Sequence, residues 1–344
     1  MTLHGGHTET EHLPVMRREV YDLLRCQPGG LYVDATVGLG GHSLGILERI
    51  RPGGRLIGID RDKESLERAS LRLAPFGSGF RLFHDNYKNL PLILNNLALP
   101  PVDGILLDLG VNSYQLLSSE RGFSFQSDEM LDMRMDRTQQ WTAADLVNNM
   151  SETELADIIY RYGEERHSRR IAAAIVRERK RAPITRCLQL AAVVSRAFRV
   201  RGHQSIHPAT RTFQALRIAV NEELEGLEEL LTDAFGFLRP GGRIVVLAFH
   251  SLEDRIVKRA FRRLAGQCVC DAAPELCTCP RTERGCILTP RPLTPGEEEV
   301  QTNPRARSAR LRALERTEAP GPETGAGNRS PEEKPGDHDD RLGS

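Results

Sequence analysis

The sequence predicts an α/β protein: a Rossmann-like, mainly parallel sheet with an all-helical domain inserted into it. Three observations carry this. Short apolar strands alternate with helical stretches as far as Asp108, the alternation then stops for about a hundred residues, and it resumes at Arg243-Ile-Val-Val-Leu-Ala-Phe249. Strand–helix alternation favours a parallel sheet covered by helices on both faces.

The elements follow in order. Leu31-Tyr-Val-Asp-Ala35 reads as a short buried strand, followed by the turn Gly38-Leu-Gly-Gly-His-Ser43 and a helix over Leu44 to Ile50. Arg51-Pro-Gly-Gly54 is a turn before a second strand, Arg55-Leu-Ile-Gly-Ile-Asp60, and a charged helix through Leu73. Phe80 to His84 and Val102-Asp-Gly-Ile-Leu-Leu-Asp108 are the third and fourth strands. Ser151-Glu-Thr-Glu154 is a capping-box pattern that opens a helix with Leu155, Ile158 and Ile159 inward. Two further helices fit Glu164–Lys180 and Thr185–Ala197, separated by Pro183. Phe213, Leu216, Val220, Leu224, Leu227 and Leu231 recur at helical spacing up to about Phe235, before Arg239-Pro-Gly-Gly242 breaks the chain. The expected domains are therefore 1–114 with 212–316 for the sheet, 115–211 for the helical insert, and a tail over 317–344.

The chain has 344 residues and no formal net charge, with 39% hydrophobic and 27% charged residues. That length supports a sizeable core without disulfide or metal staples. No apolar run approaches the ~18 residues of a spanning helix, and the N-terminus lacks the basic start and apolar stretch of a secretory signal. A soluble, cytoplasmic protein is expected. The neutral total hides an asymmetry. Arg161 to Arg217 carries 14 Arg/Lys against three acids, whereas Thr317 to Ser344 carries seven acids against three bases and is rich in Pro and Gly. The tail reads as disordered, and the basic segment as either a solvated helix face or a nucleic-acid contact.

Asp34-Ala-Thr-Val-Gly-Leu-Gly-Gly41 lies between a strand and a helix, where glycines let the backbone approach a ligand. Asp60 ends the next strand, about 20 residues on, where a carboxylate can accept both ribose hydroxyls. This combination points to a nucleoside cofactor; the alternative is a structural turn with Asp60 as a helix cap. The third glycine of a dinucleotide fingerprint would fall on Gly41 or Ser43, neither in clean register, and His42 suits a pyrophosphate poorly. The turn leans towards a methyl donor. Asp108 ends the fourth strand, and Asp108, Asn112, Ser113 and Gln115 fall outside the sheet edge where ligands of open α/β sheets bind. Methyl transfer needs positioning above all. A carboxylate or amide oxygen accepting from an aromatic amine would raise its nucleophilicity, so Asp108 and Asn112 are the catalytic candidates. Asp108 could equally serve only to hold cofactor.

The motifs together resemble the bacterial S-adenosylmethionine-dependent methyltransferases that modify N4 of a cytidine in the decoding region of 16S ribosomal RNA, the small-subunit methyltransferase H family. The matching segments include His12-Leu-Pro-Val, the glycine turn through Ser43, Gly58-Ile-Asp-Arg-Asp62, Asp103 to Ser113, Arg121-Gly-Phe-Ser-Phe125 and Leu131-Asp-Met-Arg-Met-Asp136. Tyr162-Gly-Glu-Glu-Arg166, His207 to Arg217, Phe249-His-Ser-Leu-Glu-Asp-Arg255 and Asn303-Pro-Arg-Ala-Arg-Ser308 continue the series. The resemblance implies a methyltransferase sheet of Rossmann type. It places cofactor contacts on Gly40, Gly41 and His42, on Asp60, on Tyr87 where relatives usually carry Phe, on Asp108 and on Gln115. It implies S-adenosylmethionine as cofactor and 16S ribosomal RNA, within the small ribosomal subunit, as partner. An RNA-binding assembly factor that has lost chemistry and a nicotinamide oxidoreductase are the competing readings; intact Gly40, Asp60 and Asp108 disfavour the first, and the basic insert the second.

The Asp/Asn-Pro-Pro-aromatic motif of many amine methyltransferases is replaced here by Asp108-Leu-Gly-Val. Phe123, Phe125 and Trp141 are candidates to stack a flipped cytosine, or else core residues under a loop. His250 is either a substrate contact or part of a helix start capped by Ser251. His207 and Arg211 serve RNA or domain packing. No metal site is assigned: Cys268-Val-Cys270 and Cys277-Thr-Cys279 could hold tetrahedral zinc or form a reduced, cysteine-rich loop. Cys26 and Cys187 read as small buried residues.

Overall fold

The computed structural model describes residues 14–112, 114–115, 121–198, 207–270, 276–277 and 283–317. Ser113, Cys279 and the tail from residue 318 lie outside the described residues.

Seven strands form one sheet in the order β3-β2-β1-β4-β5-β7-β6. They are β1 (Leu31–Asp34), β2 (Arg55–Asp60), β3 (Phe80–His84), β4 (Val102–Asp108), β5 (Leu238–Ala248), β6 (Gly285–Ile287) and β7 (Arg310–Arg316). The first five pair in parallel, and β7 runs antiparallel to both β5 and β6. The two-residue period of a strand divides each between two cores. Ile105 and Leu107 of β4 join one apolar layer, and Leu106 joins the other. Helices α2 (Gly41–Ile50) and α3 (Lys63–Leu73) fall where the alternation predicts, and α1 (Arg17–Leu24), ahead of β1, and α4 (Leu90–Leu97), between β3 and β4, add to them.

The insert has its own core. It is built by α5 (Ala143–Asn149), α6 (Glu152–Gly163), α7 (Ser168–Arg179), α8 (Cys187–Ala197) and α9 (Ala209–Asn221). Reciprocal capping boxes open α5 at Thr142/Asp145 and α6 at Ser151/Glu154, the second as expected. Phe213, Leu216 and Val220 of α9 belong to this core, so we place the seam between the two parts after Asn221 instead of at 211/212.

Three further differences have local causes. The helix expected from Phe213 to Phe235 is broken. Glu222 adopts φ 49° and Gly226 φ 68°, and the chain restarts as α10 (Leu227–Gly236). The helix expected from Glu164 begins only at Ser168, because Glu164 itself is the left-handed cap of α6. β5 starts five residues before the expected Arg243, at Leu238, with an irregular register between Val102 and Gly104 of its partner β4. Two late helices, α11 (Ser251–Leu264) and α12 (Glu297–Thr302), complete the described chain.

Candidate active site

The strand order reverses between β1 and β4, the switch point where open α/β sheets bind ligands. A cavity of about 340 Å³ opens there, within the usual range for small-ligand sites. Its floor comes from the ends of β1, β2 and β4, through Ala35, Asp60 and Asp108. Its walls come from elements far apart in sequence: Tyr87, Met135, Arg217 and Glu223, Phe249 and Glu253, and Arg305 with Ser308. The insert therefore closes over the sheet edge.

The glycine turn splits into two roles. Gly41 and His42 line the cavity. A Cβ on Gly41 would stand 2.9 Å from Pro14 Cγ, so the turn and the chain's first described residue press together there. Gly40 does not line the cavity. It caps α2 at φ 78°, and a Cβ on it would lie 3.2 Å from that of Ala69 on α3. Only glycine combines that backbone with that proximity.

Three carboxyls sit at or near the strand ends. Asp34 accepts from Ser43 Oγ at 2.6 Å and from the Thr36 amide at 3.1 Å. Asp60 accepts from the amides of Gly38 at 2.6 Å and Asp62 at 2.8 Å. Asp108 differs. Its backbone amide donates to Thr36 Oγ1 at 2.6 Å, its Oδ2 is 3.7 Å from His42 Nε2, and its Oδ1 is buried without a hydrogen-bond partner. Burial pushes Asp34 and Asp60 up to about 6 and Asp108 up to about 8, the last helped by the charges of Asp34 and Glu253.

The remaining expected contacts are held in a network. Asn112 and Gln115 clasp each other: the Asn112 amide donates to Gln115 Oε1 at 3.0 Å, and the Gln115 amide to Asn112 Oδ1 at 2.9 Å. The Asn112 side-chain nitrogen donates to Ser65 Oγ at 2.8 Å, and that of Gln115 to Asp62 Oδ2 at 2.8 Å. Both residues line the cavity, but the Asn112 amide is engaged at both ends. Tyr87 lines it too, its hydroxyl donating to the Glu223 carbonyl at 2.9 Å. Burial keeps that phenol protonated.

Several residues fall elsewhere than the functional readings would put them. Phe123 is 8% exposed in the insert core. Phe125 stacks on His207 at 4.6 Å between ring centres and meets Phe213 edge-on. Neither lines the cavity, whose aromatic rings besides His42 are Tyr87 and Phe249. Trp141 is half-exposed away from it. His207 and Arg211 pack within the insert, Arg211 against the Glu164 carbonyl and the Glu165 carboxylate. His250, not Ser251, caps α11: its Nδ1 accepts from the Glu253 amide, and Glu253 returns bonds to the amides of Phe249 and His250. Burial opposes the charge on Glu253, but His250 and Arg217 outweigh it and hold the carboxyl low. Thr36 stands within the glycine turn, beside Asp34, but spacing could not find Arg217, Glu253 or Arg305, because each reaches the cavity through tertiary packing. Arg217, Glu253 and Arg305 do fall inside the quoted motifs.

The model of the MraW methylase family matches residues 9–317. The chain is 54% identical over 306 residues to the ribosomal RNA small subunit methyltransferase H of Geobacter sulfurreducens, covering 89% of this chain and 98% of that protein. It is 52% identical to the protein of that name from Pelobacter propionicus, over 89% and 98%, and 48% identical to that from Halothermothrix orenii, over 89% and 98%. S-adenosylmethionine is the cofactor such an enzyme uses, and the cavity fits it. The orphaned Asp108 oxygen offers an acceptor to a cationic ligand, and Asp60, Gly41 and His42 line the same cavity. This chain belongs to the MraW methylase family and is an S-adenosylmethionine-dependent methyltransferase.

Proposed function

We propose that the enzyme methylates N4 of a cytidine in the decoding region of 16S ribosomal RNA, within the small ribosomal subunit. The observation that carries the reading is the half-buried Asp108 carboxyl, its Oδ1 buried without a hydrogen-bond partner and with no Arg or Lys ion pair among the described residues, at the floor of a cavity shared by the sheet edge and the insert. The relatives' shared name, which specifies small-subunit ribosomal RNA, and the motif resemblance supply the substrate class.

S-adenosylmethionine supplies an electrophilic methyl group on a sulfonium. The chain's own residues do the rest. Gly41, His42, Asp60 and Tyr87 hold the donor, and Asp108 faces its positive charge. An amine that takes up this methyl group would give up one proton from N4. Asp108, once ionised, is the acceptor closest to hand for that N–H. Asn112 acts as a positioning residue, clasped with Gln115 and tied to α3 through Ser65. Arg161, Arg166, Arg169 and Arg170 are exposed on the insert and suit RNA phosphates.

The test is transfer from labelled S-adenosylmethionine to naked 16S RNA and to small subunits lacking the modification, followed by nucleoside mass spectrometry. Label recovered as N4-methylcytidine, preferentially on the subunit, is the expected result. Label on another atom refutes the proposed target, and tight donor binding without transfer to either substrate favours an assembly factor.

A further inference from the structure

We propose that Cys268, Cys270 and Cys277 bind a zinc ion that closes the loop between α11 and β6. Among the described residues their three sulfurs lie within 4.8 Å of one another. Cys268 Sγ is 3.3 Å from both Cys270 Sγ and Cys277 Sγ. A disulfide needs about 2.05 Å, so these are thiols gathered without a disulfide. Tetrahedral zinc with bonds of about 2.3 Å separates its sulfurs by about 3.8 Å, so the two 3.3 Å contacts of Cys268 need open by only about 0.5 Å to admit the ion.

The setting favours a ligand over core packing. Cysteine is among the most buried residue types, yet Cys268 and Cys270 are exposed and Cys277 only half-buried. Cys187 shows the ordinary behaviour: it is buried in the insert core, with its Sγ on the Gly122 carbonyl. The loop's base is fixed by the bridge between Ala265 and Glu283, by the Gln267 amide on the Arg262 carbonyl and by the Arg284 amide on the Leu264 carbonyl. Between Cys270 and Cys277, Leu276 is 75% exposed. A connection of this length gains order from a cross-link.

Each thiol must lose its proton to ligate, so binding releases protons and involves no change in oxidation state. Soft thiolates select zinc over the hard cations. The loop follows the C-terminus of α11, whose other end reaches the cavity through Glu253, and the 14 residues of that helix span about 20 Å. The ion therefore has a structural role, and donor binding does not depend on it.

The test is elemental analysis of the full chain purified under reducing conditions, before and after zinc restoration, beside the C268S/C277S double variant and a C286S control. About one zinc per chain in the wild type and in C286S, absent from the double variant with S-adenosylmethionine affinity unchanged, is expected. Cobalt substitution of the wild type should add thiolate-to-cobalt charge-transfer bands and tetrahedral d–d bands, a readout that needs no variant. Less than a tenth of an equivalent after restoration, zinc retained by the double variant, or iron in its place would overturn the proposal.

Discussion

Two sets of acids, one buried and one half-buried, meet in this molecule and are treated in opposite ways. Along the seam with the insert and on α11, arginines face acids. Arg121 reaches Asp62 at 2.7 Å with both side chains 2% exposed, Arg217 grips Glu223 through two bonds, and Arg312 grips Asp254. At the strand ends, Asp60 and Asp108 have no arginine or lysine ion pair among the described residues. The first set is balanced: its charges cancel inside the protein, Arg121 and Asp62 tying the insert to the sheet, Arg312 and Asp254 tying β7 to α11, and Arg217 and Glu223 pairing at the cavity wall. The second is left unbalanced, so burial lifts its affinity for protons and a cationic ligand can displace them. The contrast separates what holds the fold from what waits for the methyl donor.

The largest effect should come from breaking the second set. Asp108→Ala should lower transfer by about 10³-fold or more while leaving the fold intact by circular dichroism; full activity would remove Asp108 from any essential role. The first set predicts a stability loss instead. Arg121→Met leaves Asp62 buried without its cation, which should cost about 3–5 kcal/mol in urea unfolding.

A smaller effect sharpens the comparison through pH. The Asp108 carboxyl titrates near 3.8 when unfolded and near 8 when folded. Between those values the native chain binds the extra proton, so the ligand-free protein loses stability as pH rises through that window. Asp108→Asn should flatten the upper part of that slope in thermal melts from pH 5 to 8; an unchanged slope would assign it to other groups. The smallest effect concerns the tail. Deleting residues 318–344 should leave transfer and melting temperature unchanged, and loss of transfer by a folded truncated chain would give the tail a function.

Much of the sheet was legible because strands carry their own signal. The ends of β1, β2 and β4 are marked by Asp34, Asp60 and Asp108, and an acid at the end of an apolar run is visible without tertiary knowledge. β6 and β7 were not. β6 has three residues, and β7 alternates arginine and leucine in a way that only its pairing with β5 and the Asp254 contact of Arg312 explain. The cavity walls were illegible for the same reason. Arg305 and Glu253 line the same cavity as Asp108 from distant parts of the chain, and no local period encodes that approach. The aromatics misled because Phe123 and Phe125 read alike in a glycine- and serine-rich segment whether they face a base or a core.

The central claim is that Asp108 waits as a neutral carboxyl for a cation. Calorimetric titration of S-adenosylmethionine at pH 7, in two buffers of different ionisation enthalpy, measures the protons displaced on binding. The account predicts release approaching one proton by wild type, with both the release and the affinity sharply reduced in Asp108→Asn. Equal affinity and equal proton release in the two proteins would contradict it.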